Sequence, residues 1–405
     1  MIHVADRGSV EAPDTPDTLQ ALVHANWGLR VLHLQPLPSG HTNKSYLVEV
    51  ESEEAGRDAD CDVGMSHVPL ILRVSWPGKA VQQVDREEAL LAALGTSGFL
   101  PSVPRALQTL GGRSYVQAGT SWLHLFACIP GRAGFPQQAS QGAESHAIAA
   151  AAMRTLAHLH DAMSEIPADA ALHGMATAAA IHADAADTAP HPATWLLQRH
   201  ARVSARAMPV LPDGLAPHYA EIVSRAGAYL AEAAVSLPGP TGWVHGDYHA
   251  GNLLFAEADR SDVSVTGILD FDDVGIGAPW LEAAFALFAL ARDATVEHRF
   301  AYDADMWEQG LDAYARQRTM PTAEAEVGGV GVGTDTMIDY LRTNRNALMN
   351  LFCIDQVLIH LEAAQRGLWS LGPGIGFLGC WHQLLSEASP SSILTASTVA
   401  GRASP

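Results

Sequence analysis

Cysteine is scarce in this 405-residue chain: Cys61, Cys128, Cys353 and Cys380 are its only four, and no two form a CxxC pair. That spacing excludes a zinc ribbon, a thiol redox motif and a disulfide-stapled secreted scaffold, and fits a reducing, cytoplasmic setting. Basic residues are also few, with 24 Lys and Arg against 44 Asp and Glu, for a formal charge of −20. So acidic a chain has little with which to displace counterions from a phosphate backbone, and nucleic acid is not an expected partner. No apolar run reaches the roughly 18 residues of a membrane span, and Met1 to Asp6 lack the basic-then-apolar order of a signal peptide. Neither a membrane nor export is expected. What is present is a globular composition, 48% hydrophobic and 17% charged, in a chain long enough for more than one core.

The hydrophobic pattern changes character along the chain. Beyond an extension at 1–14, the periodicity predicts a helix at 17–29, strands at 31–37, 45–50 and 68–75, a helix at 85–94, and strands at 113–117 and 122–129. Pro130-Gly131 breaks the pattern. Helical spacing then dominates, at 147–163, 219–234, 281–291, 303–315, 336–364 and around Trp381, with short strands between Trp243 and Leu269. Residues 167–212 read as an insertion and 389–405 as a tail. The expected fold is α+β, with a small antiparallel-sheet lobe at 15–129 and a larger, mainly helical lobe at 130–388.

The densest chemical signal is His245-Gly246-Asp247 with Asn252 five residues after the Asp, followed by Ile268-Leu269-Asp270-Phe271-Asp272-Asp273. Transfer of a phosphoryl group needs a carboxylate to orient and deprotonate a hydroxyl, and hard oxygen ligands to hold magnesium on nucleotide phosphates. Asp247, Asn252 and Asp270 supply those groups beside strand-like runs that would fix them.

These two segments, in this order, resemble the aminoglycoside phosphotransferase and choline kinase superfamily, including its homoserine-kinase-like branch. The resemblance covers roughly residues 30 to 365. It implies a bilobal protein-kinase-like fold, with Asp247 as catalytic base, His245 bracing its loop, and Asn252 and Asp270 as Mg²⁺ ligands, Asp272 being a further candidate near the metal. Ser39, Gly40, Thr42 and Asn43 fall where the family's phosphate-covering turn lies. Arg73 stands where many kinases carry the phosphate-binding lysine, with Glu87, or Glu88 one residue on, as its ion-pair partner. The backbone of Ala127 and Ile129 falls at the family's adenine-reading hinge. Glu282-Ala283-Ala284 departs from the Asp-Leu-Ala usual in relatives.

The implied activity is transfer of the γ-phosphate of ATP or GTP to a small-molecule hydroxyl, on an aminoglycoside, an amino alcohol or an amino acid such as homoserine. A catalytically silent nucleotide-binding pseudokinase, suggested by Arg73 and Glu282, and a kinase acting on protein Ser/Thr are the alternatives. His245, Asp247 and His249 match usual zinc-ligand spacings poorly, and the glycines between Val327 and Gly333 lack the Lys-Ser/Thr of a P-loop.

Overall fold

Thr15 starts the first helix, α1 (Pro16–Trp27): its side chain accepts the N–H of Thr18, Pro16 occupies a position that needs no donor, and Gly28 closes the helix at φ 73°. Leu19, Val23 and Trp27 recur at one per turn and are buried. They share a core with alternating residues of a sheet, among them Val48, Val50, Leu70, Leu72, Leu123 and Leu125. The sheet comprises β1 (Val31–Pro36), β2 (Lys44–Val50), β3 (Val68–Val74), β4 (Tyr115–Ala118) and β5 (Ser121–Ala127), antiparallel throughout, in the order β1-β2-β3-β5-β4. Between β3 and β4 runs α2 (Val81–Thr96), which turns Val84, Glu87, Leu90, Leu91 and Leu94 inward. Register sets Arg73 of β3 opposite Ser45 on one side and His124 on the other.

This computed structural model describes residues 15–37, 43–51, 68–134, 143–166, 192–237, 242–256, 263–318, 326–327, 330–331 and 334–386. The chain divides into two units, 1–130 with 267–272 and 131–266 with 273–405. The reading from sequence assigned 267–272 to the helical lobe. The structure groups that segment with the first unit because Ile268 N–H donates to Ser102 O at 3.0 Å, while Asp272 bonds to Asn43 and Lys79.

The second unit opens with β6 (Arg132–Ala133), α3 (Ala143–Ser164), α4 (Pro192–Ser204) and α5 (Tyr219–Ser236), followed by β7 (Gly242–Val244), β8 (Leu253–Phe255) and the start of β9 (Val265–Ile268). After β10 (Gly275–Gly277) come α6 (Pro279–Ala291), α7 (Ala304–Gln317), the hairpin β11 (Glu326–Val327) and β12 (Val330–Gly331), α8 (Thr334–Thr343), α9 (Arg345–Gln365) and α10 (Phe377–Ser386). Trp307, Trp381, Phe288 and Phe377 are fully buried in its core. The single helix expected at 336–364 is two. Asn344, at φ −100° and ψ 15°, separates them, its backbone N–H and its side-chain amide both donating to Tyr340 O, at 2.9 and 3.0 Å. Among the described residues only α9 is long and apolar enough to cross a membrane, and 72% of that stretch is buried inside the protein.

Candidate active site

In the second unit, β7 delivers a short loop that begins at the fully buried His245. Gly246 follows at φ 87°, where an added Cβ would stand 2.2 Å from Asp273 O, so only glycine fits. The loop is held from beneath by Glu282 of α6, whose carboxylate accepts the N–H of His245 at 3.0 Å and of Gly246 at 2.6 Å. His160 Nε2 reaches the same carboxylate at 2.8 Å, and its Nδ1 lies 2.8 Å from the Tyr314 hydroxyl. With Glu282 ionised, Nε2 donates to it. Burial pushes the Glu282 carboxyl upward, but the His160 hydrogen bond and the charges of His160 and His245 outweigh it and hold it below its ordinary value. The departure from Asp at this position therefore keeps a loop brace, built by a longer side chain.

Asp247 is half exposed at the top of this loop. Its N–H donates to His245 Nδ1 at 3.3 Å, so His245 acts through the backbone of its neighbour. Asn252 donates its amide to Asp247 O at 2.9 Å and Oδ2 at 3.2 Å, and His249 Nε2 lies 3.5 Å from Oδ2. Desolvation raises the Asp247 carboxyl, yet the His249 hydrogen bond and the charges of His249 and His245 leave it below the usual carboxylate value, ionised at neutral pH. The structure thus joins His245, Asp247 and Asn252 in one loop.

In the first unit, Arg73, Glu87, Asp270 and Asp272 meet. Arg73 Nη2 lies 2.5 Å from Glu87 Oε1, and its Nη1 is 3.4 Å from Asp272 Oδ1 and 4.0 Å from Asp270 Oδ1. Its guanidinium also covers the Phe126 ring at 5.0 Å. Glu87, fully buried, takes the pairing; Glu88 turns to His124 at 3.5 Å. Asp272, expected near a metal, is instead engaged on both oxygens: Oδ2 accepts from Asn43 at 2.7 Å and Oδ1 from Lys79 at 2.7 Å. Burial would raise its carboxyl, but the charges of Arg73 and Lys79 bring it down to about 2. Asp270 is the only non-glycine residue with positive φ among the described residues, at 58°. A left-handed conformation costs an ordinary side chain about 1–3 kcal/mol and marks a position the surrounding structure over-determines.

Sequence reasoning missed two residues. Lys79 follows a Pro-Gly turn, where a lysine ordinarily faces solvent, yet its side chain is 1% exposed. Asp355 of α9 is buried against Arg199 at 2.5 Å; burial pushes it up to about 6, with Asp247 adding to the rise and Arg199 opposing it. Neither had a motif to signal it. Ala127 ends β5, exposed, with its N–H donated to Arg105 O at 3.1 Å, and Ile129 is half-buried two residues on. Ser39, Gly40 and Thr42 lie outside the described residues.

Three solved structures share this fold. The GDP and kanamycin complex of APH(2")-IIia is 14% identical, covering 86% of this chain and 94% of that one at a TM-score of 0.54. The gentamicin complex of APH(2")-IIa is 15% identical, with coverage of 92% and 97% and a TM-score of 0.54. Macrolide 2'-phosphotransferase MphH from Brachybacterium faecium is 18% identical, with coverage of 89% and 98% and a TM-score of 0.50. Among curated proteins none matches by sequence. The sequence itself matches the phosphotransferase enzyme family over residues 33–319, most of the chain and both units described above, and the protein belongs to that family.

Proposed function

We propose that this protein moves the γ-phosphate of ATP or GTP to a hydroxyl of a small molecule, an aminoglycoside, an amino alcohol or an amino acid such as homoserine. The observation that carries the reading is Asp247: an ionised, half-exposed carboxylate whose loop is bonded to a buried brace. Such a group accepts the hydrogen bond of an incoming hydroxyl and takes its proton as the new P–O bond forms. Arg73 grips the non-transferred phosphates, and the backbone of Ala127 and Ile129 receives the base. His245 fixes Asp247, and Asn252, by donating to its backbone carbonyl and its Oδ2, fixes it further.

The donor set suits Mg²⁺, which takes hard oxygen ligands: the Asp270 carboxylate, and the side-chain oxygen of Asn252, whose amide nitrogen is already committed to Asp247. When bound, the ion neutralises charge on the phosphates. Asp272 fits less well, because both of its oxygens already accept from the protein.

GDP beside kanamycin in one solved relative supports a nucleotide donor and a polyhydroxyl amine acceptor. The test is Mg²⁺-dependent release of ADP or GDP across pooled aminoglycosides, amino alcohols, amino acids and sugars, with Asp247→Ala as control. Acceptor-dependent release that disappears in the variant is expected. Release that survives in Asp247→Ala would sink the assignment.

A further inference from the structure

We propose that Lys79 is a positioning residue for the nucleotide phosphates, and that with Asn43 it keeps Asp272 as a brace rather than a metal ligand; this rests on the function proposed above. Lys79 Nζ lies 3.0 Å from Glu87 Oε2 and 2.7 Å from Asp272 Oδ1; the Lys79 and Glu87 side chains are buried and that of Asp272 is 11% exposed. It thus bridges the acid of α2 to the segment that carries Asp270. Two cations, Arg73 and Lys79, face two carboxylates, Glu87 and Asp272, so the buried group is balanced. Asp270, whose side chain is 32% exposed, lies 4.0 Å from Arg73 Nη1 at the edge of this group. Without Lys79, Arg73 alone would face all three acids. Its guanidinium would be drawn onto Asp272, and the excess negative charge would oppose a polyphosphate. Asn43 holds the second oxygen of Asp272 at 2.7 Å and sets the residue that precedes β2 against the same segment.

The experiment measures ADP and GDP binding by calorimetry, in EDTA and across a Mg²⁺ titration, for the unsubstituted chain, Lys79→Met, Asp272→Asn and the double variant, with thermal melting in parallel. Lys79→Met is expected to weaken nucleotide binding about tenfold, with or without Mg²⁺, as removal of one member of a buried charge network should. The double variant, in which one charge of each sign is gone, returns to within about threefold. Asp272→Asn keeps the gain in affinity that Mg²⁺ confers. Loss of that gain in Asp272→Asn would make Asp272 a metal ligand and overturn the proposal. So would a Lys79→Met protein that melts earlier but binds nucleotide unchanged. Should Lys79→Met not fold, Asp272→Asn and the double variant decide the matter alone. If the unsubstituted chain binds neither nucleotide, the phosphotransferase reading fails and takes this one with it; binding that ignores Lys79 overturns this one only.

Discussion

Replacing Glu282 tests whether the brace beneath the Asp247 loop governs catalysis. Its carboxylate accepts three hydrogen bonds, from His245 N, Gly246 N and His160 Nε2, with its side chain 9% exposed. Each hydrogen bond to a charged group contributes about 1.5–3 kcal/mol. Two of the donors are adjacent amides and do not act independently, so Glu282→Ala is expected to lose about 3–5 kcal/mol, the range for stripping one partner from a buried charged network. Against a total stability of about 5–15 kcal/mol that endangers folding. Glu282→Gln is the sharper probe. Its amide has one acceptor oxygen, and in either orientation the NH₂ faces a backbone N–H, that of Gly246 or that of His245. One backbone donor is then left facing another donor, at about 1–3 kcal/mol. A loop displaced by about an ångström costs on the order of 100-fold in rate, so kcat should fall by that order while nucleotide binding holds. Urea unfolding and steady-state ADP release measure the two effects. Unchanged stability and kcat in Glu282→Gln would refute the argument. Because the folded Glu282 carboxyl sits below its ordinary value, its contribution is fully present above the ordinary carboxylate range. It is lost as pH falls through the lower, folded value.

Gly246→Ala forces a side chain to φ 87° and against Asp273 O, and should lose about 2–5 kcal/mol in a urea titration; a change under 1 kcal/mol would mean the loop shifts freely. Asp355 has its folded pKa raised to about 6 by burial, so the protein loses stability from this residue as pH rises between the ordinary carboxylate value and about 6; Asp355→Asn should remove that slope from the difference curve, and an identical slope would count against it. Asp303 caps α7 by accepting from Asp305 N and Met306 N, and its loss in Asp303→Ala should cost about 1 kcal/mol at pH 6 by denaturant unfolding. The Met306 N–H, then His146, hold Asp303 down, so its support fades as pH drops below the ordinary carboxylate range. The Asp303 hydrogen bond holds His146 up, so that part is complete below its ordinary value of 6.5 and fades as pH rises through the raised one. Stability profiles of Asp303→Ala that keep both limbs would contradict this assignment.

Most of the fold was legible because its elements satisfy local and tertiary demands with the same residues. Leu19, Val23 and Trp27 carry the period of a helix, and Thr15, Pro16 and Gly28 punctuate it. The apolar run at 68–75 has the length of a strand, and β3 is one. The pairing of Arg73 with Glu87 came only from the resemblance to the phosphotransferase and choline kinase superfamily, and the choice over Glu88 needed the structure, since a step of one residue turns a side chain through about 100°. Asn344 shows what propensity cannot decide. With no Pro or Gly near it, residues 336–364 read as one helix, and the break lies at Asn344, whose backbone leaves the helical region at φ −100° and ψ 15°. Lys79 and the acid 193 positions away at Asp272 lie beyond any window of periodicity, and only the folded chain brings them together.

The two departures that suggested a silent protein, Arg for Lys at 73 and Glu for Asp at 282, each have a physical answer inside their own unit. An arginine on β3 reaches Glu87 with one nitrogen and turns the other toward Asp270 and Asp272, while the ammonium that the strand lacks returns as Lys79. A glutamate on α6 places its carboxylate on two adjacent amides and a buried histidine. Drift without function would leave such replacements unpartnered, because buried charges lacking partners cost several kcal/mol and gain nothing. Both replacements are instead fully engaged on the segments that hold Asp247 and Asp270. The departures therefore tune how those two carboxylates are held, and argue for turnover rather than against it.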